Sequence, residues 1–589
     1  MKENLSIVYE NLYNRSKCNE YFTNLKSLIL DKSNIICAYH NLKMTIHNNL
    51  CGIDKITIKT LEQLSIDQIC DNVYKLINIK YQPKPVITKQ IVLKNGHSQY
   101  IGIPSIWDYL IQQCIKQVLE PICEAKFSKR NYSLKPNCKI SNIISAVYNR
   151  LQLNKIYNVL ELDINTLYQN INHSKLIKQI WALGIHDKWL IYQLKCILLT
   201  PLLLNKKMVH QKCGIIQSGI LAPLLLNIAL NEFDHWIDNQ WEENPIVYKY
   251  STRVNKNNIM NKVHGYRAMR NTNLKELYLV RYNDQIRIFV KKKQHIERIK
   301  YAIINWFSKR LKYNNININV IDTHKNYFEF LGFKIKTELK HHKYVVKSHI
   351  NDFQFNKLLL SLKQQIRYIQ HPRQNKTIID EIYTYNNIVF RIHTYYNIAT
   401  HISNDCGKFH NYLFTIFFNR LKGLKTTGNK LTSLEQKYYG NSTMLKYYYG
   451  KLIYPIGYIR HQHPIRYKFN IDFQNNKLLF KLLKQSVKND NIQLFDNKIQ
   501  LFIDQSGKCA ILNKPFNSLD EIHCHHKIPK CLNGTDDYDN LILINNEIHI
   551  LIHAKNDKII QKYLLKYSLN NAMINKINQL RKLVNNNSL

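Results

Sequence analysis

The chain has 589 residues, and 84 Lys and Arg against 41 Asp and Glu leave a formal charge of +43 with His neutral. This excess runs along the whole chain among 39 Tyr and 21 Phe, so a long polyanion, most simply nucleic acid, is the expected partner, with a merely basic soluble protein as the alternative. No stretch reaches the roughly 18 apolar residues of a membrane-spanning helix, and the 13 Cys include no CxxC pair, which argues against a disulfide framework and fits a reducing compartment.

The length predicts three or four domains, and an apolar share of 45% supports ordinary cores. The N-terminus, Met1-Lys-Glu-Asn-Leu-Ser6, has no apolar signal core, and Glu3 and Glu10 argue against a transit peptide. Heavy use of Ile, Lys, Asn and Tyr matches AT-rich codons. The expectation is an organelle-encoded protein, mitochondrial or plastid, that acts where it is made.

Residues 1 to about 80 read as helical, with a polar turn at Asn49 to Asp54. Tyr81-Gln-Pro-Lys-Pro85 imposes an extended segment, because residues before Pro avoid the helical region. Ile91 to Gly96 reads as a strand entering an Asn-Gly turn. Ser105 is a candidate N-cap for a helix over Ile106 to Ile122, whose apolar residues recur at helical spacing.

Asn158 to Asp163 reads as a short strand that ends in a carboxylate, with Tyr168 five positions on. Leu277 to Val290 reads as a hairpin around Asn283-Asp284. A carboxylate at a hairpin tip is, taken alone, most often a turn residue. Two such carboxylates brought together could hold a divalent cation against a triphosphate. Between these segments, Trp241 to Asn273 carries Lys249, Arg253, Lys256, Lys262, Arg267 and Arg270 among polar residues and reads as a solvated loop, or else as an RNA-backbone contact.

Residues 350 to about 460 read as helical and basic, with Tyr385, Asn386, Arg391, Tyr395 and Tyr396 on one predicted helix and Lys422, Lys425 and Lys430 beyond it. Aromatics that stack on bases and cations that meet phosphates would suit RNA. Tyr395 and Tyr396 could equally be core residues. An Asn- and Lys-rich linker follows over 461–497, and then Glu521 to Pro529, Asn533 to Leu541, and His549-Ile-Leu-Ile-His553. His549 and His553 are four apart and share a helix face. With His525 they could hold one divalent ion, catalytic or merely a zinc that staples the fold. The tail from Lys558 reads as a basic amphipathic helix pair.

Several of these segments together resemble the group II intron reverse transcriptase and maturase family. Tyr81 to Pro85, Gly102-Ile-Pro104, Leu119-Glu-Pro-Ile-Cys-Glu-Ala-Lys-Phe-Ser128 and Asn131-Tyr-Ser-Leu-Lys-Pro136 are similar to its fingers. Asp163 to His173 resembles its first palm motif, and Gly214-Ile-Ile-Gln-Ser-Gly-Ile-Leu-Ala-Pro223 with Leu224 to Asp234 resembles its Gln-bearing helix. Arg281 to Gln285 resembles its RYADD, Phe330-Leu-Gly-Phe333 its primer-gripping turn, and Ile379 to Ile402 its thumb or X domain. The motifs fall in the family's order over roughly residues 20 to 335. Glu521 to His553 resembles the HNH nuclease ββα-metal motif.

The resemblance implies an α+β multidomain chain. Residues 1–80 would be an N-terminal extension, 81–340 reverse-transcriptase fingers and palm, and 341–460 a helical thumb. Residues 498–560 would be the HNH nuclease and 561–589 a basic tail. It implies Asp163 and Asp284 as catalytic carboxylates for Mg2+, with Tyr168 and Gln217 at the nucleotide. Lys135, Arg391, Tyr395 and Tyr396 would contact nucleic acid. In the nuclease it implies His525, His549 and His553 as ligands of a Mg2+, Mn2+, Ni2+ or Zn2+ type ion, His526 as general base and Asn540 as the brace of the ββ turn. Group II intron RNA and target DNA are the implied partners, with no membrane and with room for a homodimer.

Departures from the family pattern shape the expectation. Gln285 replaces the second carboxylate of YADD, and an amide is a poor ligand for a hard cation. Gln99 stands where the family grips the triphosphate with a cation. Ile216, Ser218, Ala222, Ser133 and Lys135 depart from family residues too. Of the two CxxC pairs of many such nucleases only Cys509 remains, with Leu512 and Ile548 at partner positions. Three readings follow: a splicing factor plus nuclease with a silent palm, which these residues favour, a fully active mobile-element enzyme, or an RNA-binding maturase without live chemistry.

Overall fold

A computed structural model describes the chain apart from residues 1, 47–49, 79–80, 93–97, 136–137, 165, 205–206, 254–259, 429–430, 465–493, 495–497, 499–500, 503–504, 506, 517, 533, 537–539 and 568. It divides into two compact units, 1–430 with 439–467, and 431–438 with 468–589.

The larger unit is built on an antiparallel sheet whose strand order is Leu277–Tyr282, Gln285–Val290, Asn158–Asp163, Asn317–Asp322. The hairpin forms because two runs dense in β-branched and aromatic residues flank a polar pair. Tyr282 faces Gln285 as the last pair, and Asn283 takes the left-handed conformation at φ 52° that Asn tolerates. Helix Ala222–Asp238 covers the sheet with Leu224, Leu225, Leu226, Ile228 and Phe233 buried. Helix Ile106–Glu124 is capped as its sequence predicts, Ser105 accepting from the Asp108 N–H. Helices Lys2–Lys17, Lys32–Thr45 and Ile66–Asn78 precede it. Strands Val86–Val92 and Ser98–Ile103 pair antiparallel, and the Asn-Gly turn between them lies outside the described residues.

Three expectations are corrected. The segment from Trp241 is not a solvated loop. It holds helices Pro245–Lys249 and Val263–Arg270, and Trp241, Val247 and Met269 are fully buried. Some of its polar residues are engaged as well: Glu242 pairs with Arg130 at 2.9 Å and Arg150 at 2.6 Å, and Arg270 with Glu276 at 3.0 Å, whereas Lys249, Arg253 and Arg267 are exposed as expected. Three apolar anchors so far apart give no periodicity to read. Second, the domain boundary after 340 falls at a hairpin turn. Strand Lys343–Ile350 pairs along its length with Phe333–Lys340, so the helical part begins at Asp352. Third, that part is not helix throughout: helices Asp352–Gln370, Ile378–Tyr396 and Ile402–Leu421 are followed by a small antiparallel sheet of Lys425–Thr426, Lys446–Tyr448 and Lys451–Ile453, with the short helix Ser433–Tyr439 between its first two strands in the chain.

In the smaller unit, strands Ile522–His526 and Leu541–Asn545 pair antiparallel and lead into helix Asn546–His553. Asn545 caps that helix by accepting from Glu547 N–H. The tail helices Asp557–Tyr567 and Asn571–Leu583 pack against it, burying Ile577 and Leu580 with Leu543, Ile544, Ile548 and Leu551. Among the described residues no helix is long and apolar enough to cross a membrane.

Candidate catalytic centres

The first centre sits at one end of the four-stranded sheet. Asp163 ends an inner strand, and the pair Leu162–Ile286 sets it one step from Gln285 and the turn residue Asp284. Burial raises the Asp284 carboxyl. Its neighbour Asp163 raises it further, against the pull of Arg287 and Arg281. The two carboxylates are thus near neighbours, a proximity that the sequence pattern alone does not give and the family resemblance implies. Tyr168 is buried beside them, and burial and the Asp284 charge push its hydroxyl up. The Tyr168 carbonyl accepts from Ile215 N–H at 2.6 Å, which docks the loop that leads to half-buried Gln217.

Arg281 holds the turn. Fully buried, its guanidinium donates to Asp234 at 2.8 and 2.5 Å, to Asn227 Oδ1 at 2.6 Å and to the Asn283 carbonyl at 3.0 Å. Asn283 N–H donates to Ser133 Oγ at 2.5 Å, and Tyr132 N–H to the Arg281 carbonyl at 2.9 Å. Sequence reading missed the Arg281–Asp234 pair, although an arginine inside the apolar run Leu277 to Tyr282 was the signal. Lys135 follows in the same loop. Its ammonium donates to the Lys129 carbonyl at 2.5 Å and lies 5.4 Å from the Tyr132 ring centre, and burial pushes it down to about 7.

Gln285 is engaged elsewhere. Its Oε1 accepts from Leu331 N–H at 2.9 Å, in the turn Phe330 to Phe333. Tyr395 donates to the Leu331 carbonyl at 3.1 Å, and Tyr395 and Tyr396 both pack on Phe333, with ring centres 5.8 and 5.0 Å away. Tyr396 is 6% exposed, so it is a packing residue and its ring is not offered to a base, whereas Tyr395 is 38% exposed and Arg391 faces solvent. The Gln99 side chain lies outside the described residues; its backbone pairs with Ile91.

The second centre lies in the ββα element of the smaller unit. His525 on the first strand and His549 and His553 on the helix bring their ligand atoms within 4.8 Å of one another. His525 is 2% exposed and its Nε2 has no hydrogen-bond partner among the described residues. A buried orphan nitrogen is costly unless something binds it. Burial, then neighbouring imidazoles, hold His525 down to about 3 and His549 to about 4, and burial lowers His553. All three are therefore neutral near neutral pH, the form that ligates a divalent cation. His523, which the sequence reading passed over, stacks on His549 at 3.6 Å.

His526 points to a different partner. Its Nε2 lies 2.7 Å from Asp536 Oδ1. Burial alone would raise that carboxyl, but His526 and Lys530 outweigh it and hold it below the usual range. Asn540 braces the loop between the strands: its amide donates to the Ile528 carbonyl at 3.1 Å and to that of Thr535 at 2.8 Å, and its Oδ1 accepts from Ile528 N–H at 2.9 Å. Gly534 is required there, since a Cβ would fall 1.8 Å from the Ile528 oxygen. Cys509 is buried with Leu512 and Ile548, its sulfur accepting from Leu512 and Asn545 N–H.

Residues 83–335 match the family model described as reverse transcriptase (RNA-dependent DNA polymerase). The chain is 24% identical over 352 residues to the COX1/OXI3 intron 2 protein of Saccharomyces cerevisiae, covering 55% of this chain and 40% of that one. It is 29% identical over 219 residues to the group II intron-encoded protein LtrA of Lactococcus lactis subsp. cremoris, covering 37% and 36%. Protein YkfC of Escherichia coli is 25% identical over 195 residues, covering 32% and 50%. The chain thus spans half or less of the length of these relatives. Residues 83–335 are a reverse-transcriptase domain, and the chain is a relative of the group II intron-encoded proteins.

Proposed function

We propose that this protein is a group II intron maturase that binds its intron RNA to promote splicing, with a polymerase palm that has lost most of its chemistry, and with an HNH endonuclease that cuts target DNA for intron mobility. The contrast between the two centres carries the reading. Where a metal carboxylate belongs, Gln285 ties down Leu331, whereas three neutral imidazoles converge with His525 Nε2 unpartnered. Asp163 and Asp284 remain, and they would hold at most one Mg2+ in place of two. Two yeast relatives are named for introns of COX1/OXI3, which supports action within an organelle.

In the nuclease, His525, His549 and His553 would hold a divalent ion, which supplies charge neutralisation at the scissile phosphate. With Nε2–H directed at Asp536, His526 keeps Nδ1 as the acceptor for a proton from attacking water. Lys530 shares that carboxylate, and Asn540 braces the loop that follows His526. The test is nicking of supercoiled DNA by the purified protein with Mn2+ or Mg2+. His526→Ala should lose nicking with metal content unchanged, and His525→Ala should lose both. Equal nicking by His526→Ala would discard the assignment.

A fully active reverse transcriptase remains the second reading, favoured by the retained Asp163 and Asp284 pair. Primer extension that disappears in Asp284→Asn would establish it and displace the silent palm.

A further inference from the structure

An aromatic cleft opens in the larger unit between helix Ile402–Leu421 and the small sheet Lys446–Ile453. Phe414 and Met444 stand at its mouth, 50% and 41% exposed. Phe417 and Tyr385 line it further in, edge to face at 5.4 Å. Tyr385 is fully buried, and its hydroxyl has no hydrogen-bond partner among the described residues. That is an uncommon and costly state for a buried O–H. No residue of the two centres described above lines this cleft.

Its chemistry is mixed in a particular way. Lys446 lies 4.8 Å from the Phe414 ring centre at the rim. His410 also lines the cleft, and burial, then Lys446, keep its imidazole below the ordinary histidine range. Asn386 fixes the far wall, donating to the Leu452 carbonyl and accepting from Tyr454 N–H, each at 2.8 Å. The outer surface repeats the pairing of cation and ring, with Lys422 over Phe418 and Lys451 over Tyr383.

We propose that this cleft takes one unpaired nucleobase of a bound RNA. A flat heteroaromatic ring would stack against the Phe414 and Phe417 side chains that line the cleft, and the flexible Met444 thioether can swing to admit it. Every base offers a carbonyl oxygen or ring nitrogen that would accept from the stranded Tyr385 hydroxyl. The phosphate beside that base meets Lys446, as a chain of net charge +43 would favour. An apolar peptide side chain would fill the walls yet leave the hydroxyl unpaired and the lysine rim unused. The assignment rests on the RNA-binding part of the reading above and adds where and how a base is held.

The test uses the full-length protein and two hairpin RNAs that differ at one bulged position. One carries 2-aminopurine there and the other an abasic residue. Fluorescence anisotropy gives the affinities, and 2-aminopurine quenching reports stacking. The base-bearing RNA should bind at least about fivefold more tightly, with quenching, since base–aromatic stacking is worth roughly 1–3 kcal/mol. Phe414→Ala should bring the ratio near one and abolish quenching, with the abasic RNA bound as before. Tyr385→Phe, which keeps the ring and the packing, should narrow the ratio. Equal binding of both RNAs by the wild type, or an unchanged ratio in Phe414→Ala, overturns the proposal. If intron RNA is still preferred in that case, the cleft assignment fails and the maturase reading stands.

Discussion

The amide oxygen of Gln285 accepts from the backbone N–H of Leu331 at 2.9 Å, so the position next to Asp284 serves the turn Phe330 to Phe333 as a tether. Tyr395 takes the Leu331 carbonyl from the other side. The turn needs both holds, because Leu331 and Gly332 are left-handed at φ 50° and 80°, and a Cβ on Gly332 would lie 2.8 Å from the Tyr396 hydroxyl. Gln285→Ala would strand the Leu331 N–H, and a loss of about 1–3 kcal/mol in denaturant unfolding is expected. Gln285→Glu keeps an acceptor and should cost less. Equal losses would mean that the tether does not matter.

Arg281 and Asp234 form a bidentate pair with both side chains fully buried. Burial raises the Asp234 carboxyl, and Arg281 opposes it. Removing one partner leaves the other charge uncompensated in the core. Arg281→Met is expected to lower stability by about 3–5 kcal/mol. The double variant Arg281→Met, Asp234→Leu should recover part of that loss, and thermal unfolding of the three proteins checks it.

His393 is buried, its ring nitrogens 3.0 Å from the Tyr439 hydroxyl and 3.1 Å from the Ile456 carbonyl. Burial pushes it down to about 4. As pH falls, the unfolded chain therefore takes up this proton first. The stabilisation is complete above the free histidine value of about 6.5 and declines as pH drops toward 4, by about 3 kcal/mol in all. His393→Gln should flatten this part of the pH–stability curve relative to wild type. Parallel curves from pH 7 to 4 would show that the ring is protonated without penalty.

Arg581 reaches from the last helix to the end of the helix that carries His549 and His553. It donates to the carbonyls of Leu551 at 2.6 Å and Ala554 at 3.0 Å and is only 3% exposed. A cation there satisfies the open carbonyls of the helix C-terminus. Arg581→Met should loosen the histidine helix and weaken Zn2+ binding by roughly tenfold, in the range found for groups that support metal ligands. Isothermal titration with Zn2+ measures it, and unchanged affinity would show that the tail helices do not support the site.

The elements that the sequence announces are those whose pattern is local. The hairpin Leu277 to Val290 forms where apolar runs flank Asn283-Asp284, and Ser105 caps the helix it precedes. His549 and His553 share a helix face because four residues make about one turn. What the sequence hid depends on distant chain. Asp536 lies ten residues from His526, across a loop, and nothing in its neighbourhood marks it as the partner. Trp241, Val247 and Met269 bury a segment whose local composition is polar and basic. Tyr396 looked as available as Tyr395, and only the position of Phe333 decides that one packs and the other stays half exposed.

The most direct measurement is equilibrium binding of the full-length protein, near 150 mM salt, to the group II intron RNA proposed as its partner and to an unrelated structured RNA of the same length. Salt at that level screens nonspecific phosphate attraction. The account expects the intron RNA to bind at least about a hundredfold more tightly, within the usual span between specific and nonspecific nucleic-acid binding. Equal affinities for the two RNAs would contradict it.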